Sequence, residues 1–352
     1  MLAFLVGHTL FAQNETANDL DGVLFRVEGK HLRKPSYLLG TVHVIHGDRI
    51  ANIQNLNDIL SSVEGIATEL KPEWRTSTTA AQPKFALTPE ETTRVTALFP
   101  IVLQEFNESG ADNPYERFLT PQQLDSLDHA MKFLLVDSVM MTLQPDADNF
   151  DTAYRTANPL TLAQLAQTLF YVQQGRTYMS LGYSANYNPI DHAIMDYADR
   201  VNKEAADGGK HARRIVQTGL DSTYAWNQVV QSSANIKDLV NDCTSRRLAS
   251  IIYRSFRKLY DTGIQLTTID SLYTLGEGRE IVKRMAAVEP EAYADPALVD
   301  GRNRYWMTQL PQLFNDQSTL VAVGLAHLLP TESSEGIVAM LRREGYKVTR
   351  IR

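Results

Sequence analysis

Hydrophobic and polar positions alternate at both ends of this chain and recur at helical spacing through its middle. Near the start, Leu24-Phe-Arg-Val-Glu28 and Ser36-Tyr-Leu-Leu39 are two short β-like runs joined by the segment Gly29 to Pro35, which predicts a hairpin with a loop of moderate length. The second run leads straight into Gly40-Thr-Val-His43. Ile53, Leu56, Leu60 and Val63 then follow at helical spacing, and Gly65 precedes a strand-like Ile66-Ala-Thr-Glu-Leu70 that carries Glu69.

The middle reads as helical. Thr88-Pro-Glu-Glu91 and Thr120-Pro-Gln-Gln123 each combine an N-cap hydroxyl, a proline at the first helical position and a Glu or Gln where a capping box needs it. Leu127, Met131, Leu134, Leu135 and Val139 form an apolar stripe. So do Leu162, Leu165, Leu169 and Val172, and again Ile190, Ile194, Tyr197 and Val201 before Gly208-Gly209. These stripes are core-facing sides of helices rather than a cofactor box. Arg214-Ile-Val-Gln217 predicts a short strand, and a helical pattern resumes from about residue 236 to 315.

The chain closes with apolar Leu320-Val-Ala-Val-Gly324, then His327, a helix around Glu335 to Arg343, Gly345 as a stop, and the strand Tyr346-Lys-Val-Thr-Arg350. It therefore opens and ends with the same unit, and in both a Gly-x-x-His sits where the first strand ends. The fold class this predicts is α/β (α+β mixed). A single domain over residues 14–352 takes a mixed β-sheet from its N- and C-terminal parts, with a large helical insertion, about residues 88–315, between them.

Composition narrows the partners. Hydrophobic residues make up 43% of the 352 positions without an excess of Gly or Pro, as a packed core requires. A formal charge of −7 with no dense Lys/Arg block argues against a nucleic-acid partner. Cys243 is the one cysteine, which excludes an intramolecular disulfide and a multi-cysteine zinc site and leaves a half-buried small hydrophobe. Residues 1–13 are apolar, Ala12 suits a cleavage position, and Asn14 to Asp21 is polar, so the start reads as the end of a secretory signal peptide, although no Lys or Arg precedes the apolar run. Export to a periplasmic or extracellular location is the expectation. That run is too short to span a bilayer and no later one reaches the length, so the mature chain should carry no transmembrane segment.

In open α/β sheets ligands bind at the carboxyl ends of parallel strands, where loops converge and the next helices point their N-termini inward. If the strands before His43 and His327 are parallel neighbours, both imidazoles reach one edge, and Glu69 arrives there too. Two imidazoles and a carboxylate suit a divalent transition metal (Mn, Co or Zn) with open positions for water and substrate, and such an ion lowers the pKa of bound water and polarises a carbonyl. Glu69 would then be either a ligand or the general base. Each signal taken alone has a plain structural reading: a histidine after a strand is commonly a satisfied packing residue, and a buried Glu commonly pairs with Arg. His46 competes as a ligand, but Gly47-Asp48 points to a loop there, so it ranks below His327. His129, His192 and His211 fall on or near polar helix faces.

The residues resemble a known family. Phe25-Arg-Val-Glu-Gly through Pro35-Ser-Tyr-Leu-Leu-Gly-Thr-Val-His43, then Ala67-Thr-Glu-Leu70, Arg302-Asn-Arg-Tyr-Trp306, and Val321-Ala-Val-Gly-Leu-Ala-His327 through Gly345-Tyr-Lys-Val are similar to the TraB/GumN family, which is related to the Tiki metalloproteases and the TraB/PrgY pheromone-shutdown proteins. Asn188-Pro-Ile-Asp191 resembles its central segment, while Leu220-Asp-Ser222 stands where many members have Leu-Glu-Thr. The resemblance implies metal-dependent peptide cleavage with His43, Glu69 and His327 at the centre. It implies for Arg302 and Asn303 the binding of a substrate carboxylate or the orientation of Glu69, against the plainer reading of a helix-packing ion pair.

The leading expectation is an exported metal-dependent hydrolase, a peptidase with a peptide or protein substrate. The alternative is a non-catalytic peptide-binding or sequestering protein of the TraB/PrgY type. A third reading is an interaction domain whose histidines are merely buried.

Overall fold

The computed structural model describes residues 21–72, 88–108, 113–135, 159–209, 213–221 and 240–352. The apolar start over residues 1–13, Val139, His211 and Ser222 lie outside the described residues, as do the side chains of Leu135, Leu162, Leu165 and Leu169.

The expected hairpin forms. β1 (Leu24–Glu28) pairs antiparallel with β2 (Ser36–Thr41), with Leu24 opposite Leu39 and Phe25 opposite Leu38. With β3 (Gly65–Thr68), β4 (Val216–Gly219), β5 (Thr319–Gly324) and β6 (Lys347–Arg350), they make one six-stranded sheet in the order β4-β3-β5-β2-β1-β6. The four strands β4, β3, β5 and β2 are parallel, and β1 runs antiparallel to both β2 and β6. Central parallel strands are covered on both faces, which is why Leu320, Val321, Ala322 and Val323 form an unbroken buried run.

Two of the boundaries that move bear on the site. β3 ends at Thr68, so Glu69 lies just beyond the strand rather than within it. β4 begins at Val216 instead of Arg214, because Asn202 clamps Ile215 through both its backbone groups, Ile215 N–H to Asn202 Oδ1 at 2.8 Å and Asn202 Nδ2 to the Ile215 carbonyl at 2.9 Å. Since β4 lies between long helices, the sheet draws on the middle of the chain as well as on its two ends.

The two terminal units lie side by side. Tyr37 is in register with Leu320 and Thr41 with Gly324, so the two Gly-x-x-His turns leave neighbouring strands at the same level. They also interlock. A Cβ added to Gly40 would lie 2.2 Å from Cδ1 of Leu325, the residue after the other motif's glycine. Gly40 is thus needed for close approach. Its carbonyl accepts a 2.5 Å hydrogen bond from the hydroxyl of buried Tyr273.

After a 3-10 segment (Gly47–Asn52) comes α1 (Leu56–Ser62). α2 (Pro89–Asn107) opens with the predicted capping box, Glu91 N–H to Thr88 Oγ1 at 3.2 Å and Thr88 N–H to Glu91 Oε2 at 2.8 Å. α3 (Pro121–Leu135) has the same reciprocal bonds between Thr120 and Gln123. α4 (Pro159–Ser180) and α5 (Ile190–Ala206) precede β4, and α6 (Ser245–Leu275) runs for 31 residues to Gly276, which takes the left-handed conformation that ends a helix. α7 (Gly278–Val288), α8 (Pro290–Ala294), α9 (Asp300–Met307) and α10 (Leu310–Asp316) lead into β5, and α11 (Leu325–Leu328) and α12 (Ile337–Arg343) lie between β5 and β6.

Two apolar clusters result. One wraps the sheet and includes Ile190 and Ile194 of α5 and Leu266, Ile269 and Tyr273 of α6. The other joins Phe106, Tyr115, Leu127 and Met131 to Ala249, Ile252 and Phe256 from the first half of α6. That helix runs from the helical cluster to the sheet and seats Tyr273 under Gly40. No helix among the described residues is long and apolar enough to cross a membrane.

Candidate functional site

Four parallel strands end at one edge, and each delivers a polar side chain there. His43 follows β2 by two residues, Glu69 follows β3 directly, Asp221 follows β4 by two residues, and His327 sits in the single turn of α11 after β5. Neighbouring ends of parallel strands put these positions together. α9 then crosses the edge and lowers Arg302 and Asn303, 7% and 0% exposed, into the middle.

Arg302 is the hub. Its Nε donates to Asp221 Oδ1 at 3.1 Å, and its Nη2 donates to Asp221 Oδ2 at 2.7 Å and to Glu69 Oε2 at 2.5 Å. The other Glu69 oxygen accepts the Gly324 N–H at 2.6 Å. Arg302 Nη1 lies 3.1 Å from His327 Nε2. A guanidinium carries only donors, so Nε2 must accept and Nδ1 of His327 must bear the proton. That proton is directed to Asn303 Oδ1 at 2.7 Å, and the Asn303 amide nitrogen in turn donates to the His327 carbonyl at 3.1 Å and to Ser334 Oγ at 3.0 Å. Trp306 closes the ring: its Nε1 donates to Asp221 Oδ1 at 2.9 Å, and its indole packs 4.5 Å from the His327 ring.

The electrostatics follow from this wiring. Burial opposes ionisation of Glu69, but Arg302 together with the other donors around it outweighs burial and holds the carboxyl well below the usual range. Asp221 is pushed up by its burial despite Arg302, with the Glu69 charge adding to the effect. Burial lowers His327 to about 3, the Arg302 charge acting in the same direction, so its imidazole is neutral.

His43 stands apart from this network. Its side chain is 71% exposed, and its Nδ1 lies 3.3 Å from Asp191 Oδ2 at the start of α5. The hydrogen bond with Asp191 raises its pKa to about 9 against the opposing effect of desolvation, and the charge of Glu69 adds to the rise. This leaves Nε2 of His43 without a hydrogen bond to the described residues.

His46 is tied into the structure: Nε2 meets the Asn186 carbonyl at 2.9 Å, Nδ1 accepts from Asp48 N–H at 3.1 Å, and the ring stacks on Tyr183 at 5.4 Å. His129 is exposed, as expected, while His192 is half-buried. Burial and Asp242 raise the Cys243 thiol, consistent with its reading as a packing residue. Sequence reasoning assigned no role to Asp221, Asp191 or Trp306, although each lies in a segment that carries the family resemblance.

Two imidazoles and a carboxylate are suitable donors for a transition metal, but in this arrangement the lone pairs of His327 and Glu69 are committed, and Asp191 favours the protonated form of His43. Nε2 of His327 and Oε2 of Glu69 both face Arg302, and Nδ1 of His327 is protonated toward Asn303. A divalent ion about 3 Å from that guanidinium would meet repulsion on the order of 10 kcal/mol at an effective dielectric near 20. The residues as arranged do not fit an ion. Among the described residues, no group of three or more His, Cys, Asp or Glu side chains is placed to hold one.

No curated protein and no solved structure matches the chain. The model of the TraB/PrgY/gumN family matches residues 23–350, from the first residue before β1 to the last of β6, and the chain belongs to that family.

Proposed function

We propose that this chain is a hydrolase acting on peptide or protein substrates, with His43 as the group that meets substrate. One observation carries the reading: an exposed imidazole, oriented through Nδ1 by Asp191, stands at the strand edge beside the buried Glu69–Arg302–His327 network. In its neutral form His43 takes a proton from water as the water oxygen attacks the scissile carbonyl carbon, and Asp191 stabilises the imidazolium that forms. The same proton then passes to the leaving nitrogen as the C–N bond breaks. Glu69 is held too acidic and too fully bonded to act as the base, so its role is to fix Arg302 and Gly324. Arg302 and Asn303 act as positioning residues in this scheme.

Export belongs to the same proposal and rests on the apolar start; fractionation of the native host would test it. The reaction is tested by incubating the full chain with a peptide library in the presence of a chelator, and again with added Mn²⁺, Co²⁺ or Zn²⁺. Cleavage that His43→Ala abolishes supports the reading. Saturable peptide binding with no cleavage under any condition would replace it with peptide capture.

A further inference from the structure

Buried positive charge at the centre of a ring of His, Asp and Glu is the arrangement a metal ion normally supplies. Here a side chain supplies it. Arg302 Nη2 touches Glu69 Oε2 and Asp221 Oδ2 at 2.5 and 2.7 Å, and Nη1 of the same group touches His327 Nε2 at 3.1 Å. Zinc takes carboxylate oxygens at about 2.0–2.2 Å, so an ion at the Nη2 position would need a small contraction of the two carboxylates and a swing of His327, which now faces Nη1. Guanidinium and ion therefore compete for one place.

We propose that the Arg302 guanidinium is the resident cation of this site, that it keeps divalent metals out, and that removing it turns Glu69, Asp221 and His327 toward metal binding. Three observations fix the guanidinium there. Its planar donor set matches Asp221 in two parallel bonds, a geometry Lys does not reproduce. Its carbon lies 4.7 Å from the Trp306 ring centroid, so the indole face supports the cation. Asn303, next along α9, holds His327 in the tautomer that accepts from arginine. The inference stands whether or not the chain turns over a peptide.

The test uses the full chain, stripped with chelator, mixed with Zn²⁺ or Mn²⁺ and desalted. Metal content and the melting temperature are then read. The wild type should retain no stoichiometric ion, and its Tm should be the same with and without metal. Arg302→Met leaves the carboxylates of Glu69 and Asp221 without their counter-charge. It should take up one ion per chain, gain Tm with added metal, and lose both effects again in the Arg302→Met/Glu69→Gln double variant. Arg302→Lys keeps the charge and should stay metal-free. A stoichiometric ion in the wild type that His327→Ala releases overturns the proposal. So does an Arg302→Met chain that folds and takes up nothing. Should Arg302→Met fail to fold, the wild-type and Arg302→Lys measurements still decide.

Discussion

Arg302 Nη1 and His327 Nε2 meet at 3.1 Å between two buried residues, and this contact sets the protonation of the imidazole. Arginine does not give up its proton, so the histidine must accept. With burial and Arg302 together holding its pKa at about 3, His327 should show no titration between pH 5 and 9. Two-dimensional NMR of the ring nitrogens should find a protonated Nδ1 throughout. Asn303→Asp places a carboxylate at Nδ1, 2.7 Å away, and should raise the His327 pKa well above that of the wild type. An imidazole titrating near 6.5 in the wild type would contradict the wiring.

The contact between Gly40 and Leu325 predicts a packing cost. A methyl group at position 40 would sit 2.2 Å from Leu325 Cδ1, with both residues in the core. Gly40→Ala should destabilise the fold by about 1–3 kcal/mol, the usual cost of overpacking, as read by urea denaturation. Leu325→Ala costs stability on its own by leaving a cavity, but in the double variant the two effects should cancel in part. Simple addition of the two losses would show that the motifs do not interlock as described.

Much of this architecture is legible in the sequence, and for physical reasons. The hairpin and the two capping boxes follow from local patterns of apolar, cap and turn residues, whereas the parallel pairing of β2 with β5 entered the sequence reading only as a condition, which the sheet meets. Strand order then places His43, Glu69 and His327 at one edge. Asp221 was harder to read, because β4 is a four-residue strand between helices whose first residue, Val216, is half exposed, so its alternation is weak. Asp191 resembles any acidic residue in the first turn of a helix. For Arg302 the resemblance implied a partnership with Glu69 or a substrate carboxylate, and an ion pair was the plainer reading; that its guanidinium fills the centre could not be read, because it lies 233 residues from Glu69 and ligand chemistry alone does not reveal it.

The shifted groups predict a dome in stability against pH. His327 is neutral in the fold with a pKa of about 3 against an ordinary 6.5, so the unfolded chain binds its proton first. Its contribution is complete above about 6.5 and is lost as pH falls toward 3. Glu69, whose pKa is lowered from 4.5, likewise contributes above that value and loses its contribution in acid. His43 is raised from 6.5 to about 9, so its contribution is complete below 6.5 and is lost as pH rises toward 9. Because His43 is 71% exposed, solvent screening makes the alkaline limb the shallower one. Denaturation free energies should peak near pH 6.5, and His43→Ala should flatten only the alkaline side.

Asp221 should be the most sensitive acidic position after Glu69. It accepts from Arg302 twice and from Trp306 once, with a fully buried side chain. Asp221→Ala removes one partner of a buried ion pair and strands two donors, a loss of about 3–5 kcal/mol. Asp221→Asn retains an oxygen for Trp306 and should lose less, while Trp306→Phe removes a single donor and should lose least. Chemical denaturation of the three variants reads this order directly. Equal losses in all three would mean that Asp221 is held by shape rather than by charge.

The last prediction concerns His43 and the pair it forms with Asp191. At neutral pH an imidazole with a pKa near 9 is mostly protonated, so a general base at this position gains activity as pH rises. The pH profile of kcat/KM should climb to an inflection near 9. The hydrogen bond that His43 Nδ1 donates to Asp191, at 3.3 Å, is the largest cause of that displacement. Asp191→Asn should therefore move the inflection toward 6.5 and increase the active fraction at pH 7. It should also lower the plateau, because the imidazolium formed during proton transfer loses its counter-charge. His43→Ala should reduce turnover by about 10²–10⁴-fold, the range expected for loss of a general base. A profile that falls through pH 9 instead would assign His43 the role of a general acid. An inflection that does not move in Asp191→Asn would remove Asp191 from the site.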